Sequence, residues 1–470
     1  MTQHPTDAAD RTDPIRIVCL VALATSHGLI RLAERYLPEF VVAIGSGPIV
    51  AGALVSLGLG VAVAASRRSS DADAGPTSDL APAAAAVASV LVAAVGLLAW
   101  AGAPTLDALL GTPLSALGWL AVGIVLLQAW YVRGPVRDLW PTDTRAAAPP
   151  SSAVPARDET SIRRGAIDGR RTWIVVGALG LAAAAVFAAA AVASAGGVRA
   201  GFTIVAATGA AVTLVGAVAL GSAGERTSTL AGRVLGDGLA EGNRDGESET
   251  HRDETTTAAP ADAESPLGAV SSAASRLPDR RRWAVIGDAL VRVALAGSWP
   301  FLILLVVEYR SIGLSIGGLS LAPAAVFGLF VLAEAAGAVV GAVAAPALAS
   351  RLDRRAVLAV GLAVVSLLPM GLVAAPSNAG IVAVLFALLG CRTAIEPLRP
   401  TVGESARVAP VPGPRLPDAV GTAVQVAVVP APLIGGLLYA VDPIFAFTIA
   451  TTVGLLGVRE LGRAFAFGRP

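Results

Sequence analysis

The chain has 470 residues, 55% hydrophobic and only 15% charged, with a formal net charge of +1. Soluble domains carry about 25% charged residues, so this composition argues against a water-soluble enzyme and places the apolar excess in lipid. The near-zero charge leaves no basic surplus for phosphates and argues against a nucleic-acid partner. Two cysteines and three scattered histidines (His4, His27, His251) form neither a disulfide framework nor a metal motif.

A bilayer core about 30 Å thick takes roughly 20 apolar residues per helix, because lipid satisfies no exposed backbone group. By that measure residues 1–14 are a polar tail. Six spans follow: Ile15–Val42, Pro48–Ala65, Leu80–Ala101, Leu114–Val132, Trp173–Ala195 and Ala200–Gly221. Six more are predicted at Trp283–Val307, Leu321–Ala349, Ala356–Ala375, Gly380–Arg399, Val420–Ala440 and Pro443–Leu461, ahead of a tail over 462–470. The runs lack period-two alternation, which argues against a β-barrel, and no small-residue cleavage pattern follows the first, which reads as a retained span.

Two segments interrupt the series. Residues 133–171, with Pro149, Pro150, Ser151 and Ser152, read as an insertion between spans four and five. Residues 222–282 are rich in Gly, Ser, Thr, Asp and Glu and read as a largely disordered linker, with Leu267, Val270, Ala274 and Leu277 spaced for a short interfacial helix. The expected fold is therefore an all-α polytopic membrane protein of twelve transmembrane helices, in bundles of six over 15–221 and 283–461. Every basic residue is arginine. With the N-terminus in the cytoplasm, the insertion, the linker, Arg67, Arg68, Arg351, Arg354, Arg355, Arg399 and both tails fall inside. Only Arg199 and Arg310 fall outside.

An ionisable side chain within a span costs about 2.5–3.5 kcal/mol on insertion scales, so each needs a partner, a hydrated cavity or an interface. His27, Arg31 and Arg35 share one face of span one, with Glu34 three residues beyond Arg31. Two readings stand: a substrate-facing stripe, or a span that ends near Ile30 and leaves 31–39 as an outer loop. His27 also suits a helix–helix hydrogen bond. Asp288 and Arg292, four apart on span seven, are expected to pair and close the cytoplasmic gate. Glu334 stands alone near the centre of span eight, either as a proton site or in a buried ion pair with Arg292 or Arg392. Arg392 on span ten is neutralised by Glu396 one turn on, or by a substrate anion. Gln128 and Gln425 read as interhelical glue, Cys19 and Cys391 as small apolar residues, and Trp100, Trp119, Trp130, Trp299 and Tyr439 as an interfacial belt.

Between spans eight and nine, the stretch from Pro346 to Leu358 contains Arg351, Arg354 and Arg355. It resembles the loop motif of the major facilitator superfamily, with Pro346, Ser350 and Asp353 in place of the family's glycine, aspartate and second glycine. Gly287-Asp288 with Arg292 resembles the opening of that family's span seven. Pro432 to Tyr439, with Pro443 and Phe445, is similar to its span 11–12 junction. Tyr36 to Phe40 and Gly47 to Gly52 look like its first outer turn. The first-half loop motif is missing, since only Arg67 and Arg68 follow span two.

The resemblance implies a monomeric secondary transporter of the cell membrane, with both termini cytoplasmic and lipid and a small-molecule substrate as partners. It would move a small organic solute by alternating access, without cofactor, metal or catalytic centre. Glu334, Arg392, Arg292, His27 and Arg31 are the expected substrate- or proton-coupling residues. Asp288, Glu396, Arg351, Arg354 and Arg355 are expected to gate or brace. The rival expectation is a non-transporting sensor or scaffold of the same fold. A carrier should expose Glu334, Arg392 and the outer part of span one to a central cavity, and a scaffold should seal those charges in pairs.

Overall fold

A computed structural model describes residues 14–72, 82–110, 115–133, 159–236, 277–399 and 418–466. The tail before Pro14, the middle of the insertion (134–158), most of the linker (237–276), the segment 400–417 and the last four residues lie outside the described residues.

Helices occupy all twelve predicted positions. In the first half they are α1 (Pro14–Ala43), α2 (Pro48–Ala72), α3 (Pro82–Leu110), α4 (Ala116–Arg133), α5 (Glu159–Ser194) and α6 (Val198–Gly236). The second half begins with α7 (Asp279–Ser298), which is continued to Tyr309 by short 3₁₀ and π turns. It goes on with α8 (Pro323–Arg351), α9 (Arg354–Ala374), α10 (Ala379–Gly390), α11 (Asp418–Val428 and Ala431–Val441) and α12 (Pro443–Ala466). Ten of these are long and apolar enough to cross a membrane, and the apolar helices of α4 and α10 are shorter.

Local sequence sets the ends. Prolines 14, 48, 82, 323 and 443 open their helices, where a missing N–H costs nothing. Asp353 accepts from Arg355 N at 3.0 Å to start α9, and Asn378 accepts from Gly380 N at 2.9 Å to start α10. The α7–α8 link, expected to be a plain loop between spans, holds a hairpin. Leu314–Ile316 pairs with Leu319–Leu321 around Gly317 and Gly318, which take the positive φ angles a two-residue turn demands. Arg199 and Arg310 have a local function too. Arg199 donates to Ala43 O at the end of α1, and Arg310 to Val373 O and Ala375 O at the end of α9, so both satisfy orphan helix carbonyls.

Several predicted boundaries move. The first span runs unbroken to Ala43, which overturns the outer-loop reading of 31–39. The predicted span ten breaks after Gly390 into 3₁₀ turns at Cys391–Ala394 and Glu396–Leu398, and span eleven is interrupted around Pro430. The insertion is helical from Glu159, and the linker stays helical from Ser222 to Gly236.

Helix packing repeats with an offset of six. In the first half α1 packs on α5 and α6, α3 on α6, and α2 on α4; in the second, α7 packs on α11 and α12, α9 on α12, and α8 on α10. Glycine makes these approaches close. A Cβ on Gly287 would meet Gly457 O at 2.5 Å, and one on Gly457 would meet Gly287 O at the same distance. Phe40, Phe202, Phe327, Phe330 and Phe386 fill the core, whereas Val186, Val218, Val343 and Val384 stay exposed on the rim. An exposed apolar rim on apolar helices is the surface that lipid covers.

The halves touch through α5 on α8 and α2 on α11, a pair of contacts related by the same offset. These contacts lie toward the helix ends farthest from the two termini. Gly328 on α8 abuts Ala185 and Ala189 of α5, and Leu433 N donates to Ser56 Oγ at 3.0 Å.

Candidate functional site

The centre of the interface is built by α1, α7, α8 and α10. Glu334 follows Pro323 by eleven residues, about 16 Å along α8 at 1.5 Å per residue. Its side chain is 4% exposed, and its Oε1 accepts from Arg35 Nη2 and Arg392 Nη1, each at 2.9 Å. Arg392 comes from the same half, and Arg35 comes across from the other. Sequence-neighbour Tyr36 also crosses, donating to Ala324 O at 2.7 Å and packing edge-on against Phe327.

Arg392 reaches Glu334 because Gly390 lets α10 close on α8. A Cβ there would collide with the backbone carbonyl of Glu334, and one at Gly337 would collide with that of Ala387. The 3₁₀ turn from Cys391 then swings Arg392 inward, where Nη1 also donates to Leu389 O at 3.2 Å. Both guanidiniums lie on the Trp299 ring, Arg35 at 4.4 Å and Arg392 at 3.8 Å from its centroid. Trp299 sits where α7 leaves regular helical geometry. Arg35 Nη1 and Glu334 Oε2 are buried without a hydrogen-bond partner. A small void of about 10 Å³, room for roughly one water, adjoins Trp299 and is walled mainly by leucines of α7, α9 and α10.

Two further clusters flank this centre. On α1, Arg31 pairs with Glu34 at 3.3 Å and lies over the Tyr131 ring at 4.7 Å, while Tyr131 donates to Glu34 at 2.8 Å. One turn earlier His27 Nδ1 accepts from Trp130 Nε1 at 3.3 Å. Toward the termini, Asp288 is fully buried and accepts from Arg399 Nε at 2.6 Å and Arg292 Nε at 3.2 Å, and Glu396 takes Arg399 Nη1 at 3.1 Å. Among the described residues no three His, Cys, Asp or Glu side chains converge as metal ligands.

No family model matches the sequence, and no curated protein does. Solved structures do. A POT family transporter in complex with a thioalcohol-conjugated peptide superposes with a TM-score of 0.59 at 12% identity, covering 96% of this chain and 95% of that one. A POT family transporter in complex with 5-aminolevulinic acid gives 0.58 at 14% identity, over 96% and 95%. The nucleoside transporter NupG gives 0.56 at 12% identity, over 97% and 100%. The chain has the major facilitator fold. It is an all-α polytopic membrane protein built on that plan, with six helices to each half.

Within the major facilitator fold, the predicted residues separate. Glu334 and Arg392 meet. Arg292 pairs with Asp288, and the ion-pair contact of Arg392 is with Glu334, while Glu396 bonds Arg399 and acts on Arg392 only from a distance. His27 and Arg31 lie on α1 against α4. Arg351 ends α8 and Arg354 opens α9, both exposed, with Arg355 half-buried beside them. Arg35 and Trp299 were missed as site residues. The shared face of His27, Arg31 and Arg35 was the signal for the first. Trp299 was assigned to a membrane belt, as was Trp130, yet both face the interior. Trp100 and Tyr439, also assigned to the belt, are buried.

Proposed function

We propose that the chain is a secondary active transporter that moves a small organic solute across the cell membrane by alternating access, coupled to protons at Glu334. The Arg35–Glu334 bond carries this reading, because it ties one six-helix half to the other near mid-membrane in a fold that transporters share. The halves meet at the end farthest from the termini. With the termini in the cytoplasm, as the arginine distribution favours, the molecule is closed outward. Rocking of residues 15–221 against 283–461, with 222–282 as a cytoplasmic tether, would then carry a solute at the centre from one side to the other. A protonated Glu334 bears no charge to hold two guanidiniums, so proton uptake would release Arg35 and loosen the contact. His27 and Arg31 line the first-half wall, and the Asp288–Arg399–Glu396 cluster with Arg292 braces the end near the termini.

One observation favours the rival reading of a non-transporting sensor or scaffold: Glu334 is almost fully enclosed and paired twice. Flux separates the two. Proteoliposomes loaded with a pH dye and given an imposed proton gradient are challenged with alanylalanine, uridine or benzoate, for wild type and Glu334→Gln. Solute-dependent proton movement in wild type that is lost in the variant supports the proposal. Equal, gradient-insensitive flux in both overturns proton coupling, and no flux of any probe favours the scaffold.

A further inference from the structure

One turn beyond Arg35 on α1, and on the same face, stands Glu39. It is 4% exposed, yet its partner across the seam is another acid. Its carboxyl lies within hydrogen-bonding reach of Glu308, on the π turn Leu305–Tyr309 that continues α7. Glu39 belongs to the first half and Glu308 to the second. Tyr439 of α11 is within electrostatic reach of both carboxyls, buried, and stacked on Phe301 at 5.5 Å between ring centroids. Glu39 Oε2 and the Tyr439 hydroxyl are both buried without a hydrogen-bond partner.

Among the described residues no basic side chain pairs with either glutamate. Arg310, two residues past Glu308, donates to Val373 O, Ala375 O and Ser377 Oγ. Arg199 of α6 donates to Ala43 O, one turn past Glu39. Asp442, at the α11–α12 corner, accepts from Ile444 N, and Tyr309 is exposed. At this end α2, α5 and α8 bring no titratable side chain. Two ionised carboxylates have no proton to donate to one another, and in a poorly solvated place they repel. One proton removes both difficulties: the protonated carboxyl donates to the other, and the pair carries a single negative charge. Glu39 is sealed in, but Glu308 is exposed and gives that proton a route to and from water.

We propose that Glu39 and Glu308 bind one proton between them, and that this shared proton clasps the two six-helix halves at the end farthest from the termini. Tyr439, whose hydroxyl has no acceptor in the structure, is the donor that steadies the remaining charge. Loss of the proton sets two like charges face to face and parts the seam. The closed form thus binds one proton more than the parted form, so it is favoured at acid pH and lost as the pH rises. Glu334 works in the opposite sense, since a proton there loosens the Arg35 contact. The clasp does not depend on that reading.

The test is a distance between the halves, measured by pulsed electron paramagnetic resonance on the full chain in phosphatidylcholine nanodiscs. Spin labels are placed at Ile49 and Leu437 in a Cys19→Ser, Cys391→Ser background, with choline chloride as the only salt. Wild type should show one short distance at about pH 6 and an added longer one at about pH 9. Between them the closed-to-parted ratio should fall by up to about tenfold per pH unit. Glu39→Gln and Glu308→Gln replace the O–H donor by an amide N–H that is present at every pH, so each should keep the short distance alone throughout. Glu308→Gln, on the exposed side, carries the test if Glu39→Gln does not fold. A wild-type distance that ignores pH, or an alkaline response that survives in the Gln variants, overturns the proposal. Recovery of the short distance at about pH 9 by sodium chloride marks a sodium site and also overturns it. Parting at acid pH alone belongs to Glu334 and would sink the clasp while supporting the other reading.

Discussion

Gly52 and Gly436 are reciprocal partners across the two halves. A Cβ on Gly52 would collide with the carbonyl of Pro432, four residues before Gly436, and one on Gly436 would meet the carbonyl of Pro48, four residues before Gly52, at 2.6 Å. Each half thus supplies a Pro-x-x-x-Gly stretch whose glycine accepts the other's backbone. Backbone cannot step aside as a side chain can. Gly52→Val should therefore hold α2 and α11 apart at the ends farthest from the termini. Spin labels on Ile49 and Leu437, both exposed, should report a longer distance in the variant than in wild type. An unchanged distance would show that the contact does not set closure.

Gly390 has the same property within the second half. Gly390→Val presses a branched side chain onto the carbonyl of Glu334 and should move α10 off α8, taking Arg392 with it. Overpacking of this kind costs about 1–3 kcal/mol. The expected outcome is a lower unfolding midpoint in detergent together with loss of the Arg392–Glu334 contact in a structure of the variant.

Glu334→Ala leaves two guanidiniums facing one another without an anion. Removing one partner of a buried pair costs about 3–5 kcal/mol, and the partial exposure of Arg35 (14%) and Arg392 (25%) places the cost at the lower end. Replacing both arginines by Met on top of Glu334→Ala should recover stability. A triple variant less stable than the single one, measured by thermal unfolding, would show that the arginines contribute independently of Glu334.

Asp288 and Glu34 offer a matched contrast. Asp288 is fully buried and holds two arginines, so Asp288→Asn should cost about 3 kcal/mol. The Arg31–Glu34 pair is half exposed on the arginine side, and Arg31→Gln should cost under about 1 kcal/mol. Denaturation midpoints of the two variants should separate in that order.

Much of the fold was legible because lipid imposes a length. Apolar runs of about 20 residues placed twelve helices where the structure has them, ten of them long enough to cross a membrane. Glu334 and Arg392 were legible as costly charges in search of partners. What failed was geometry at helix ends. Four charges between Arg31 and Glu39 made the first span look finished at Ile30, so Arg35 was set aside, although its helix runs on to Ala43 and places it opposite Glu334. Pro397 and Glu396 signalled that span ten would not stay helical, and reading it as one run hid the turn that carries Arg392 inward. Trp299 precedes Pro300, and that step out of regular helix aims its ring at the arginines.

Arg35 and Tyr36 are adjacent on one rigid helix and grip the same opposing helix at separate points. Rotation of α1 that detaches one drags the other, so the two attachments fail together. Separation at this seam is for that reason a switch with two settings rather than a graded slide, and intermediate degrees of parting should be rare in any population of molecules.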